Sequence, residues 1–187
     1  MTTLATKEFA EDYVNPRGIP RVQFVENVEQ YVKAKGLTIE TILKQLQEQH
    51  SKYKLMEHKL SQNKTHLANK IPEITKTVDT LTFLRKKLDE EDTGFTTNYG
   101  LTDSVFCEAT VTPQKTVHLW LGASVMVEYT FDEALTLLKK NLSAAKQNLE
   151  STQEDLAWLS DQQVVLEVNT ARVYNHDVVS RRDEAKN

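Results

Sequence analysis

Eight apolar residues stand seven apart without interruption: Ile39, Leu46, Tyr53, Leu60, Leu67, Ile74, Leu81 and Leu88. A seven-residue repeat holds one stripe of a helix against a partner, so a run of this length commits the segment to a coiled coil. A second, less regular seam follows it. Leu43, Ile71 and Val78 stand four residues after members of the first, and Met56 and Leu84 three after. The spacing predicts a first long helix over residues 38–93, with Thr38 as N-cap, Glu40 at the positive pole of the dipole, and Gly94 as the stop. Pro72 falls inside it. A helix-interior proline costs about 3 kcal/mol and usually kinks the chain. Leu67, Ile74 and Leu81 keep register across it, so a bend is expected and not a break.

A matching pattern occupies residues 131–179. Leu135, Leu142, Leu149 and Leu156 form one heptad series, and Leu138, Ala145, Thr152, Leu159, Leu166 and Val173 the other. Thr130-Phe131-Asp132-Glu133 opens this second helix as a capping box, and a charged tail, residues 180–187, follows it. Between the helices, residues 94–130 change to short β-prone runs separated by turn signals at Thr102-Asp103, Pro113-Gln114 and Gly122-Ala123. Four strands in two hairpins are expected. The fold class is mostly α with a small β insert: a long antiparallel coiled-coil hairpin carrying two β-hairpins between its helices.

Helices of roughly 50 residues are about 75 Å long. Folded level about residues 95–130, they would bring Leu81 near Leu142, Ile74 near Leu149 and Leu67 near Leu156. The seam residues are then Leu60, Leu67, Ile74, Leu81 and Leu88 on one helix and Leu135, Leu142, Leu149 and Leu156 on the other. Residues 1–20 are expected to be a flexible segment. Residues 21–37 suggest a short helix, because Phe24, Val25, Val28, Tyr31 and Val32 recur at spacings of three and four, and Gly36 ends it.

Four short strands on a helix pair leave their edges open and their apolar side chains uncovered. Assembly through the strands is therefore expected, with Val105, Phe106, Leu119, Trp120, Leu121, Gly122, Val125 and Val127 as the interface. Away from the strands the seam meets His50, Asn63, Gln163 and Thr170, and polar seam residues weaken a coiled coil. That half is expected to be the looser one. Its spare apolar residues suit the binding of other apolar segments. The candidate binding tip is Phe24, Val28, Tyr31, Val32, Val165, Val168, Val173 and Tyr174. Two readings stand side by side here: an open apolar tip, or a closed bundle with residues 21–35 folded back over the pair.

No chemistry emerges beyond this. His50 and His58 are eight apart, which is not helical metal-ligand spacing, and Glu57 does not repair it. Cys107 and His118 lack a third catalytic group, and Gly94, Gly100 and Gly122 are isolated rather than a phosphate loop. Glu90, Glu91 and Asp92 read as a solvated turn. No enzyme, cofactor or metal is expected. A net charge of −4 with both signs interspersed argues against a nucleic-acid surface. A single cysteine forbids an internal disulfide and suits a reducing compartment. Residues 1–12 lack the basic start and apolar core of a secretion leader, and no run reaches the roughly 18 apolar residues of a membrane span. A cytoplasmic protein that does not contact membranes is the expectation.

Several segments are more distinctive than heptads. They are Gly18-Ile19-Pro20 followed by Phe24-Val25-Glu26; Tyr53-Lys54-Leu55-Met56-Glu57; Ile71-Pro72-Glu73-Ile74; Leu119-Trp120-Leu121-Gly122-Ala123-Ser124-Val125-Met126; Glu167-Val168-Asn169; and Ala171-Arg172-Val173-Tyr174-Asn175. With the order helix, two hairpins, helix, the chain resembles α-class subunits of the prefoldin family. The resemblance implies a heterohexamer of this chain with one further α-type and four β-type subunits, their strands joined in a shared β-barrel. It also implies unfolded clients, actin and tubulin among them, held at coiled-coil tips and passed to the cytosolic chaperonin. The alternative is a structural or tethering coiled coil that binds no unfolded client.

Overall fold

The computed structural model describes residues 14–89, 94–112 and 114–184. Its elements are α1 (Val28–Lys35), α2 (Ile39–Asp89), β1 (Phe95–Thr102), β2 (Val105–Val111), β3 (Thr116–Gly122), β4 (Val125–Thr130) and α3 (Phe131–Glu184). The expected acidic turn at Glu90, Glu91 and Asp92 and the turn at Pro113 lie outside the described residues, as do residues 1–13 and 185–187. α3 runs past residue 179, so part of the expected charged tail is helical.

The helix starts are set locally. Thr38 Oγ1 accepts from the Thr41 amide at 3.4 Å, and the Thr38 carbonyl accepts the first helical bond, from Ile42, at 3.0 Å. The capping box at Thr130 is reciprocal. Glu133 N–H donates to Thr130 Oγ1 at 3.4 Å, and Thr130 N–H donates to Glu133 Oε2 at 3.1 Å. The Thr130 hydroxyl, donating to Glu133 Oε2 at 2.8 Å, and then the Thr130 amide hold the Glu133 carboxyl below its ordinary pKa. Pro72 sits inside α2 without ending it.

The chain divides into two compact units. One is Leu67–Asn148; the other joins the residues up to His66 with those from Leu149 onward. In the first, β1 pairs antiparallel with β2, and β3 with β4, as two separate two-stranded sheets. Leu81, Phe131, Ala134 and Leu135 form its core, with Val78, Leu84, Leu88, Leu138 and the strand residues Val117, Leu119 and Tyr129 packed around them. Leu81 thus meets Ala134 and Leu135, one heptad earlier on α3 than the expected Leu142. The reason is that the helices do not end level. The last turns of α2 pass the start of α3 and pack on the hairpins, where Phe83 meets Phe95 edge to face at 5.6 Å between centroids. Arg85 pairs with Asp132 at the same level.

In the other unit, Ile42, Leu46 and Tyr53 of α2 pack with Leu159, Leu166 and Val173 of α3. Cross-helix partners step in opposite directions along the chain: Glu40 with Arg181, His50 with Glu167, Glu57 with Gln163, Asn63 with Thr152. That order makes the pair antiparallel. The expectation of a loose seam here is not met. Gln163 donates to Glu57 at 2.9 Å, Thr170 Oγ1 donates to the Leu166 carbonyl at 2.7 Å, and Asn63 Nδ2 donates to Thr152 Oγ1 at 3.4 Å. Ile42, Tyr53, Trp158, Leu159, Leu166 and Val173 are completely buried.

The seal over this core is an extended strap. Only Val28–Lys35 is helical, capped by Asn27 and by left-handed Gly36; residues 19–25 are irregular, not the first half of a helix over 21–37. Nor are residues 14–20 loose. Asn15 is buried and donates to Asp155 at 2.6 Å. Of the two readings of this region, the closed one describes the structure.

Candidate functional site

Strand alternation gives each hairpin two faces. In the second hairpin, Val117 opposite Tyr129 and Leu119 opposite Val127 are half-buried, and Val117, Leu119 and Tyr129 pack on the helical core. The other face carries His118 opposite Glu128 and Trp120 opposite Met126, and Trp120 is 63% exposed. In the first hairpin, Cys107, Ala109 and Val111 are half-buried while Phe106, opposite Gly100, is 64% exposed. Large apolar side chains are therefore in water at the hairpin ends: Tyr99, Leu101, Val105 and Phe106 on one, Trp120, Leu121, Val125 and Met126 on the other.

Of the expected interface, Val105, Phe106, Trp120, Leu121 and Val125 are exposed, and half-buried Gly122 opens the turn. Leu119 and Val127 form a pair on the helix-facing side. Tyr99, Leu101 and Met126 were missed. Their signal was in the register: Leu101 is the extra residue of the irregularity between Gly100 and Thr102, and Met126 faces Trp120. Both edges of each two-stranded sheet are unpaired among the described residues. Free edges with apolar ends are a template for further strands. A cavity of about 390 Å³ lies between the hairpins and the helices, lined by Leu84, Phe95, Val111, Val117 and Phe131.

The expected tip residues do not share one environment. Phe24, Val168 and Tyr174 are exposed. Val28, Tyr31, Val32 and Val165 pack as partly buried residues on the core, and Val173 lies wholly inside it, offering no surface to a partner. All nine expected seam residues are at least half-buried.

Sequence reading missed the strap's anchorage entirely. Asp155, Gln162 and Asn169 are buried polar residues seven apart on α3, and each holds the strap. Asp155 receives Asn15 Nδ2 and Arg17 Nε, both at 2.6 Å. Gln162 Oε1 accepts from the Val22 amide at 2.8 Å. Asn169 accepts from the Val25 amide and donates to the Gln23 carbonyl, both at 2.9 Å. Arg172 donates to the Glu26 carbonyl at 2.7 Å and lies 5.2 Å from the Phe24 ring. Tyr53, 1% exposed, donates to the Pro20 carbonyl at 2.7 Å, and burial pushes its hydroxyl pKa up.

Among the described residues no group of three or more His, Cys, Asp or Glu is arranged to hold a metal ion. His50 instead faces Glu167 at 3.4 Å. Among them, too, no helix is long and apolar enough to cross a membrane.

Comparison with known proteins places these surfaces in context. The prefoldin family profile, described as prefoldin subunit, matches residues 53–176. Prefoldin subunit 3 of Homo sapiens is 49% identical over 173 residues, covering 91% of this chain and 87% of that one. Prefoldin subunit 3 of Drosophila melanogaster is 37% identical over 187 residues, 100% of this chain and 94% of that one. A chain of filamentous prefoldin from Methanocaldococcus jannaschii superposes with a TM-score of 0.42 at 18% identity, over 70% of this chain and 95% of that chain.

Proposed function

The chain belongs to the prefoldin family, and on that premise we propose that it is the subunit-3-type α subunit of a heterohexameric co-chaperone of the cytoplasm. It assembles through its hairpins with one further α-type and four β-type subunits into a shared β-barrel. The assembled complex holds unfolded polypeptides, actin and tubulin among them, and passes them to the cytosolic chaperonin. Client contact falls on the half of the coiled coil that includes Phe24, Val168 and Tyr174.

One observation carries the assembly reading: two separate hairpins, each with open edges and apolar ends in water. A tether needs no such insert. The cost of leaving it bare is large, since full burial of an apolar side chain is worth about 1.5–3 kcal/mol. Co-purification with mass determination tests the composition; recovery of the chain without other prefoldin subunits would end this reading. Within the complex, Trp120→Ala shifts material toward free subunits, and an unchanged size on a sizing column contradicts the interface. Client holding is tested by suppression of aggregation of a denatured protein. If Val168→Ser with Tyr174→Ser left suppression intact, these exposed residues would not be the client contact.

A further inference from the structure

Residues 19–28 lie along α3 as a bound peptide would. Val22 and Val25 are buried, Ile19 and Val28 half-buried, and the residues between them are exposed. A burial period of three is that of an extended chain with three residues per turn. Three such residues advance about 9–10 Å, close to the roughly 10.5 Å of one heptad of helix. The strap therefore presents one apolar side chain per heptad of α3, in parallel orientation.

The recognition is largely of backbone. Gln162 takes the Val22 amide, Asn169 takes the Val25 amide and gives to the Gln23 carbonyl, Tyr53 gives to the Pro20 carbonyl, and Arg172 gives to the Glu26 carbonyl. None of these bonds depends on which side chain the strap carries. Only the Val22 and Val25 positions select by burial, and beside them lies a cavity of about 570 Å³, lined by Phe24, Trp158, Asp161 and Val165 among others. A groove that reads main chain and takes small apolar side chains at every third position is chemically a site for unfolded polypeptide.

We propose that this groove is a client site and that the strap is its resident occupant, exchanged for an extended segment of an unfolded chain with apolar residues three apart. This deepens the client-holding function proposed above and rests on it. The latch is at the strap's start, where Asn15 and Arg17 hold Asp155, away from the backbone-reading residues.

The test uses the full chain in its assembled complex and a dye-labelled synthetic peptide of residues 19–28, read by fluorescence anisotropy. An occupied site weakens apparent affinity by the fraction of time it is free. Asn15→Ala with Arg17→Ala, or Arg17→Gln alone as the milder variant, should tighten peptide binding about tenfold over wild type. Adding Asn169→Leu should remove the gain, and a scrambled peptide without the three-residue spacing should not bind. Equal peptide affinity in wild type and both loosened variants, or equal binding of the scrambled peptide, overturns the exchange. Aggregation suppression on the same samples separates the two readings. Suppression by wild type with no gain in peptide binding defeats the exchange alone, whereas peptide exchange without suppression by any sample defeats the client-holding function.

Discussion

Asn169→Ala is the sharpest probe of the strap. Asn169 is 1% exposed, and its amide makes two bonds to the strap backbone, from Val25 N–H and to the Gln23 carbonyl. The two losses are unequal. Val25 is itself buried, so its amide is left without a partner, at a cost of about 1–3 kcal/mol. Gln23 is exposed, and water replaces the amide at its carbonyl, so that loss is about 0.5–1 kcal/mol. Together roughly 1.5–4 kcal/mol is removed from the docked strap. The strap has an escape that the helices lack: it leaves α3 while the heptad core stays paired. The loss should therefore appear as local opening before it appears as global unfolding.

Hydrogen exchange at the Val22 and Val25 amides reads that opening directly. At 1.4 kcal/mol per tenfold, the variant should exchange roughly 10- to 700-fold faster at these sites. Amides in the middle of α2 and α3 should change by much less. Val25 protection within about threefold of wild type would refute the reasoning, as would an equal loss spread along both helices. Asn169→Asp refines the point. It keeps an acceptor for Val25 but turns a carboxylate toward the Gln23 carbonyl, so Gln23-side opening should exceed that at Val22.

Three further outcomes follow from other parts of the fold. Ala123 and Ser124 both have positive φ, 48° and 60°, where the tight turn of a hairpin favours Asn-Gly; Ala123→Asn with Ser124→Gly should raise stability by about 1–2 kcal/mol in urea titrations. Tyr53→Phe strands the Pro20 carbonyl and should cost about 1 kcal/mol at neutral pH. Because burial raises the Tyr53 pKa above 10.0, the unfolded chain releases this proton first. Stability from the group is complete below pH 10 and is lost as pH rises through the folded value, so the alkaline slope should be shallower in Tyr53→Phe. Thr130→Ala removes the N-cap of α3 and should cost about 1 kcal/mol by the same titration, with hairpin amides near Thr116 exchanging faster because Thr116 pairs with Thr130.

What the sequence discloses depends on whether a signal has one physical meaning. A seven-residue stripe has one, and every residue from Ile39 to Leu88 in it is at least half-buried. The alternating β runs have one, and both hairpins form. Register between helices is less legible. It depends on where the helix ends stand relative to the hairpins, and Leu81 settles on Leu135 because α2 overruns the start of α3 to pack on strands. The strap shows true ambiguity. Ile19, Val22, Val25 and Val28 at intervals of three fit a helix face and equally a three-per-turn extended chain. Pro16 and Pro20, inside the segment expected to be flexible, favour the second. Ile42 and Trp158 escaped because they stand off the named seams; Ile42 is buried among residues of both helices and Val22 of the strap, and Trp158 lies beside Val22 and Phe24.

The polar stripe on α3 answers a problem peculiar to a strap. A third helix laid on a helix pair would bring its own backbone bonds, and apolar residues at positions 155, 162 and 169 would suit it. An extended segment brings unpaired N–H and C=O groups, and α2 and α3 have no main-chain groups to offer in mid-helix. Side chains must therefore supply the partners, and the geometry sets how many are needed. One heptad spans about the same length as three strap residues, so one polar side chain per heptad serves each turn of the strap. The amides that face inward, Val22 and Val25, are the ones served, while Arg21, Gln23 and Phe24 stand exposed to water. Asp155 differs from the other two. It is a carboxylate 4% exposed, and such a charge is tolerable only because Arg17 and Asn15 both reach it. Leucine at the same three positions would bury more apolar area against a helix, yet would leave two buried strap amides without acceptors. The stripe is polar because what it covers is extended.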